Sequence, residues 1–173
     1  METLKTIFSR KTVRTYTGEA VPQDKRDTVI KAALAAPVGL AKFENVHLTV
    51  IENKELLHAI DRNAAEFFGD PTRTPLYGAP ILVVVSTPNQ GNVDSANAAM
   101  VVHNMCLAAI ELGMGSCAIY GATAALVQNQ ELLAKLDLPE GFVPTGSAIF
   151  GPTTETFEER EIPMDKMTIH YID

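Results

Sequence analysis

The sequence predicts a fold that combines β-strands with helices, and three observations support this prediction. The first is the unbroken apolar run at 81–85, whose β-branched residues are typical of a strand that is buried on both faces. The second is the segment 94–112, which is apolar nearly all round and predicts a helix inside a domain or at a subunit interface. The third is the order of the predicted elements, in which five strands and several helices are mixed and do not strictly alternate.

In the first half of the chain, apolar spacing and breaker residues define the predicted elements. One helix begins at Pro22 and ends before Pro37, because the residue that precedes a proline disfavours helical geometry. Val29, Ile30 and Ala33 form its apolar face. The predicted elements are a short helix over 2–9, a turn over 17–22, this helix over 22–36, a strand over 46–51, a helix over 54–68 and a loop over 71–80.

In the second half, the long helix is predicted to end before Gly113, and a terminal strand is predicted from alternating apolar residues. The stretch 153–161 is acidic and polar, which indicates a tail that reaches away from the main body. In a homodimer, such a tail could add its strand to the sheet of the partner. The predicted elements are strands over 115–120, 143–150 and 167–172, a turn at Gly121 and a short helix over 130–136.

Length and composition indicate one globular domain over residues 1–173. The chain is 46% hydrophobic and 20% charged, and its net charge of −7 argues against general binding of nucleic acid. No stretch reaches the roughly 18 consecutive apolar residues of a membrane span, and the N-terminus lacks a signal-peptide core, so we expect a cytoplasmic protein without a membrane partner. Cys106 and Cys117 lie in apolar runs without metal-binding spacing, which predicts buried free thiols.

The start of this acidic chain concentrates positive charge. Lys5, Arg10, Lys11 and Arg14 supply four of its fourteen basic residues, and Thr12 adds a hydroxyl. Guanidinium groups, an ammonium and short hydroxyl donors are the groups that hold a phosphate. This cluster predicts an anion site, and the alternative is a solvated end of an N-terminal helix.

Familiar catalytic motifs are missing from the sequence. Gly113 and Gly115 follow a helix and lack a third glycine, so they do not form a dinucleotide fingerprint. The sequence has no phosphate loop, zinc-binding helix motif or nucleophile elbow, and its histidines lack metal-ligand spacing. His103 is predicted to be a hydrogen-bonded core residue. A chain without an acid–base set is compatible with an enzyme whose cofactor supplies the reactive atom.

Four segments, taken in order, carry a resemblance to a known family. They are SRKTVRTYTGEAVPQDKRDTVIKAALAAP, GAPILVVVS, DSANAAMVVHNMCLAAIELGMGSCAIYG and AIFGPT. Their order and spacing resemble those of the nitroreductase family of flavin mononucleotide (FMN) oxidoreductases. The resemblance implies an α+β sandwich with a mixed central sheet flanked by helices, and an intertwined homodimer with FMN at its interface. It also implies ping-pong hydride transfer from NAD(P)H through flavin N5 to a nitroaromatic, quinone or similar acceptor, with no side chain acting as acid or base.

The resemblance also implies a set of cofactor-binding residues, one group for each part of the flavin. They are Arg10, Lys11, Thr12 and Arg14 at the phosphate and ribityl chain, Pro37 and Val38 at the ring border, Ile119, Tyr120 and Gly121 near N5, and Arg160 at the phosphate from near the C-terminus. It further implies that residues 153–173 form a tail that is exchanged with the partner subunit.

One segment departs from the family pattern. Where the family often has Ser followed by Asn-x-Gln-Pro-Trp, residues 38–45 read VGLAKFEN, and the chain contains no tryptophan. This departure favours an alternative function, a flavin-binding store, carrier or sensor with little turnover. A structural dimer without flavin is a third possibility, against which the Arg10–Arg14 cluster argues.

Overall fold

A four-stranded antiparallel sheet forms the centre of the molecule in a computed structural model that describes residues 2–88 and 90–172. The strand order is β1-β2-β4-β3. The strands are β1 (His47–Ile51), β2 (Ile81–Thr87), β3 (Gly115–Ala118) and β4 (Val143–Gly151). Each pairing among these strands is antiparallel, so the expected mixture of parallel and antiparallel pairs is wrong for the described part of a single chain.

Helices cover both faces of the sheet, which confirms the predicted α+β sandwich. Six α-helices are present in the described residues: α1 (Thr3–Ser9), α2 (Gln23–Leu34), α3 (Lys54–Phe67), α4 (Asn92–Glu111), α5 (Gly121–Val127) and α6 (Gln130–Ala134). Short 3-10 turns add Gly39–Ala41, Phe43–Asn45 and Met164–Lys166. The sequence predicted a turn at Gly121 but missed α5, because a seven-residue helix offers too few turns for a periodic signal.

Strand β2 contributes side chains to two separate apolar cores. Its residues Val83 and Val85 contribute to a core with α2 and α4, whereas Leu82 and Val84 contribute to a core with α3, α5 and α6. Since successive strand residues point to opposite faces, every residue of the strand is buried, as the unbroken apolar run predicted.

Helix α4 is buried along one side and exposed along another. Val101, Met105 and Ala109 recur every four residues and are buried against the sheet, while Val93 and Met100 remain 62% and 50% exposed. By length and composition α4 could also cross a membrane, although half of its most apolar window is buried inside the fold, as is common for core helices of soluble proteins. The prediction of a core position for His103 is wrong, because His103 lies on the exposed side of α4.

The C-terminal segment differs from its prediction. Residues 167–172 are not a strand, and Met167, Tyr171 and Ile172 are 74–88% exposed. A strand requires a hydrogen-bonded neighbour, and no described strand pairs with this segment. The alternating pattern therefore describes a segment that is unpaired within one chain.

Candidate functional site

An open groove of about 480 Å³ lies where α4, the end of β3, β4 and the N-terminal segment meet. Its volume is within the range of small-molecule sites. The residues that line it are Arg10, Thr12, Ser95, Ala98, Ala99, Val102, His103, Cys106, Ser116, Ala118, Ile119, Tyr120, Thr145, Gly146 and Ser147. No carboxylate is among these described wall residues, although the chain carries a net charge of −7.

Small residues allow α4 to lie close to β4 at the base of the groove. A Cβ placed on Gly146 would be 3.4 Å from the Cβ of Ala98, in ordinary van der Waals contact. Ala98 is buried, whereas Ala99 beside it is exposed to the groove. This part of the groove therefore carries no long side chain, which leaves room for a ligand ring.

The N-terminal segment is fixed across β3 by Val13. Val13 is fully buried, and its N–H donates to the Ser116 carbonyl at 2.9 Å. A Cβ on Gly115 would be only 2.8 Å from Cγ1 of Val13, so the close crossing requires glycine at this position. Tyr16 packs at the same crossing, where its hydroxyl donates to the Val13 carbonyl at 3.0 Å. Burial raises the pKa of this hydroxyl. This crossing places Thr12 in the wall of the groove.

The predicted phosphate-binding residues separate into two groups. Arg10, which is half-buried, and Thr12 both line the groove. Lys11 instead forms an ion pair with Glu155 at 2.8 Å, and the guanidinium of Arg14 lies 5.9 Å from the centre of the Tyr77 ring. Neither Lys11 nor Arg14 is among the described residues that line the groove, and their role in binding stays a prediction.

Arg160 lies near the predicted cluster but contacts backbone. Its Nε donates to the Phe8 carbonyl at 3.0 Å, and its Nη2 donates to the Arg10 carbonyl. The sequence did not indicate these partners or Glu155, because a tail without regular structure gives no register from which to infer contacts.

A buried hydrogen-bond network holds the turn that follows β3. The Ile119 N–H donates to the Ser147 carbonyl at 2.8 Å, and the hydroxyls of Thr123 and Ser147 both donate to the Ile119 carbonyl at 2.8 Å. Tyr120 is 81% exposed above the groove. Gly121 lies outside the described walls, and a Cβ there would be 2.9 Å from the Phe68 ring. No sequence motif pointed to Thr123 or Ser147, since lone hydroxyl residues carry no spacing signal.

The segment after Pro37 is tied to α4 outside the described walls of the groove. The N–H of Gly39 donates to Oδ1 of Asn97 at 2.9 Å, which fixes the backbone directly after Val38. Leu40 and Ala41 then adopt φ values of 56° and 54°, a left-handed conformation that costs a non-glycine residue energy. Leu40 is 89% exposed, so this backbone strain presents an apolar side chain to the surface.

The thiols are unsuited to nucleophilic chemistry. Both cysteines are free and buried, as predicted. Burial raises the pKa of Cys106 in the groove wall, and the positive charge of Arg10 offsets this only in part. Burial likewise raises the pKa of Cys117. Because burial favours the protonated thiol, neither cysteine is a good nucleophile.

The protein is an α+β sandwich with a groove of the size that small-molecule sites have. A family model described as the nitroreductase family matches residues 7–151. The chain belongs to the nitroreductase family. Membership of this family makes the protein an oxidoreductase.

Individual relatives agree with this assignment. A Methanothermobacter thermautotrophicus protein, provisionally named NADH dehydrogenase/NAD(P)H nitroreductase, is 25% identical over 98% of this chain and 86% of its own length. A Bacteroides fragilis nitroreductase crystal structure with bound FMN superimposes with a TM-score of 0.86 at 26% identity, covering 99% of this chain and all of that one. A Desulfitobacterium hafniense nitroreductase shares the fold, with a TM-score of 0.87, 24% identity and 100% and 99% coverage.

Proposed function

We propose that this protein is an FMN-dependent oxidoreductase that oxidises NADH or NADPH and reduces a nitroaromatic, a quinone or a similar acceptor in a ping-pong scheme. FMN would supply hydride transfer through its N5 atom. Family membership and the FMN carried by the similar B. fragilis nitroreductase support this proposal.

The observation that carries the proposal is the pairing of Arg10 and Thr12 in a wall without carboxylates. A guanidinium and a hydroxyl are the donors that a phosphate monoester accepts. Because no acidic side chain lines the described wall, a phosphate bound there would meet no carboxylate within the groove. The small residues Ala98 and Gly146 would leave room for a ring system, so the residues present fit FMN.

The remaining predicted residues take supporting roles in the proposal. The Ile119 N–H is already used within the fold, so the amides of Tyr120 and Gly121 are the candidates for contact with the reactive ring edge. These amides would favour negative charge gained by the bound ring system. Pro37 and Val38 are proposed at the ring border, where the Gly39–Asn97 hydrogen bond would hold their backbone.

We also propose that the functional unit is a cytoplasmic homodimer. Exchange was predicted for residues 153–173, but the tail up to Arg160 contacts the N-terminal segment of its own chain, so we propose exchange only for the part beyond Arg160. The exposed residues Val93 and Met100 of α4 lie on the helix that forms one wall of the groove. The tail adds exposed apolar side chains at Met164, Met167 and Tyr171. Burial of both sets against a second copy would remove apolar surface from water, and the groove would then be closed by the partner.

The test compares the affinities of FMN and riboflavin, which differ only by the phosphate. Arg10→Ala should weaken FMN binding about 10- to 150-fold and leave riboflavin binding nearly unchanged, because it removes a charge-assisted contact. Arg62→Ala is the matched control, since Arg62 is an exposed arginine outside the described walls. Flavin fluorescence gives both dissociation constants. A wild-type protein that is colourless and cannot be loaded with excess FMN would refute the proposal.

A second candidate function is flavin storage, transport or sensing with little turnover. The replaced segment after Pro37, with its exposed Leu40, favours it, because the usual polar contacts of the family are missing there. Oxidation of NADH or NADPH by the FMN-loaded protein in the presence of a generic quinone distinguishes the two functions. Slow oxidation with both nucleotides would support the second candidate.

A further inference from the structure

The first part of the C-terminal tail runs antiparallel along the predicted phosphate-binding segment. The Thr17 N–H donates to the Pro152 carbonyl at 3.0 Å, and the Thr153 hydroxyl donates to the Thr15 carbonyl at 2.7 Å. Further along, Lys11 pairs with Glu155 at 2.8 Å. Residues later in the tail contact residues earlier in the N-terminal segment, so these separate contacts define one continuous antiparallel register.

Arg160 ends this register at the C-terminus of α1. Its guanidinium reaches the carbonyls of Phe8, in the last turn of α1, and of Arg10, the C-cap residue. The last carbonyls of a helix have no partner within the helix and carry partial negative charge, so they favour a cation. α1 has no basic residue of its own in its last turn. Arg160 supplies this cation from a position 150 residues further along the chain.

We propose that Arg160 is a positioning residue that acts on phosphate binding by fixing Arg10 through its backbone. The inference rests on the proposed function, because it concerns how the FMN phosphate would be held. The Arg10 N–H donates to the Thr6 carbonyl at 3.0 Å, so Arg160 holds the other side of the same residue. Three residues further on, buried Val13 fixes the segment to β3. Arg10 and Thr12 are therefore held between two anchors, and Arg160 forms part of the first.

The ion pair of Lys11 supports the same division of roles. Glu155 neutralises Lys11, whose ammonium also lies 5.8 Å from the centre of the Phe157 ring. Lys11 thus holds the tail, while Arg10 is the basic side chain that lines the described groove. Docking of the tail and binding of a phosphate are consequently coupled, and by linkage each strengthens the other.

The experiment is a double-mutant cycle on the affinities of FMN and riboflavin. Arg160→Ala alone should weaken FMN binding about 5- to 20-fold, with little change for riboflavin, because Arg10 loses its fixed position. In an Arg10→Ala background the same change should cost less than about 2-fold, since the residue that it positions is already gone. Arg160→Lys should resemble Arg160→Ala, because an ammonium cannot span two carbonyls as the planar guanidinium does.

Two outcomes would overturn the inference. Losses that multiply in the double variant, together with a Lys variant that binds FMN like the wild type, would show that Arg160 contacts the phosphate directly. Equal losses for FMN and riboflavin with a lowered melting temperature would show a purely structural role. Failure of the wild type to bind FMN would refute the proposed function instead.

A measurement on the flavin-free protein tests the positioning itself. Amide hydrogen exchange over residues 6–12 should accelerate in Arg160→Ala relative to the wild type and to the Arg62→Ala control. Unchanged exchange in this segment would also overturn the inference, whatever the flavin affinities are.

Discussion

Substituting Gly115 by alanine tests whether the crossing of the N-terminal segment over β3 builds the groove. The new Cβ would lie 2.8 Å from Cγ1 of Val13, 3.1 Å from Cε1 of Tyr16 and 3.2 Å from Cβ of Val13. The first distance is shorter than Cβ atoms adopt and the other two are tight, so the fully buried Val13 would have to shift within a packed core. Overpacking of this kind costs about 1–3 kcal/mol, so Gly115→Ala should lower the free energy of unfolding by that amount.

A second substitution removes Cγ1 of Val13, the atom that the new Cβ would approach most closely. Val13→Ala alone deletes two buried methyl groups, which costs about 1.6 kcal/mol of transfer free energy plus a cavity term. In the double variant the methyl group introduced at position 115 would occupy part of the space that Cγ1 of Val13 leaves. We therefore expect the double variant to be less destabilised than the sum of the two single variants by about 1 kcal/mol or more.

Urea denaturation at one fixed protein concentration measures all four proteins, because oligomerisation makes stability depend on concentration. The FMN affinity of the folded fraction should fall with Gly115→Ala and recover partly in the double variant, since a shift of Val13 would also shift the adjacent Thr12. Additive changes in the free energy of unfolding would refute the argument that the close contact between Val13 and Gly115 fixes this segment.

Three further predictions address the tail, the apolar loop and a buried carboxyl group. Deleting residues 163–173 should lower the melting temperature and shift the mass measured by light scattering from dimer toward monomer. An unchanged melting temperature and dimer mass would show that the tail is not exchanged. Phe43 is 54% exposed, so Phe43→Ala should change the free energy of unfolding by less than about 1 kcal/mol. It should raise KM for flat hydrophobic acceptors. Unchanged kinetics would show that Phe43 does not line the substrate pocket. Burial raises the pKa of Asp61, which accepts a hydrogen bond from the Leu76 N–H at 2.8 Å. The folded state thus binds the Asp61 proton more tightly than the unfolded state, so stability should fall as pH rises through this pKa, and Asp61→Asn should abolish that component in urea titrations.

The sequence predicted those parts of the structure that depend on local pattern. The apolar run of β2 correctly indicated burial on both faces, because alternate side chains enter two different cores. The helix pattern of α4 placed its ends within two residues. The charge at the N-terminus led to Arg10 and Thr12, which both line the groove.

The misses have a common physical cause, since each depends on a partner distant in sequence. Alternation over 167–172 predicted a strand, but a strand exists only beside another strand. The ion pair between Lys11 and Glu155 was not predicted, because nothing local in the sequence indicated that Glu155 would lie beside Lys11. His103 lies on the exposed side of an apolar helix, and the sequence alone could not show which side of α4 faces the sheet.

The strand order has a consequence for how the chain acquires its structure during synthesis. β4 is the last strand in sequence, yet it lies between β2 and β3 and pairs with both. A nascent chain that has emerged only as far as α6 can pair β1 with β2, but its β3 has no neighbouring strand. Thr145 and Ser147 in the groove wall belong to β4, so the binding site forms only after residue 151 leaves the ribosome. Closure of the sheet therefore spans long sequence separations, which slows folding and exposes the edge of β2 to other chains until β4 arrives.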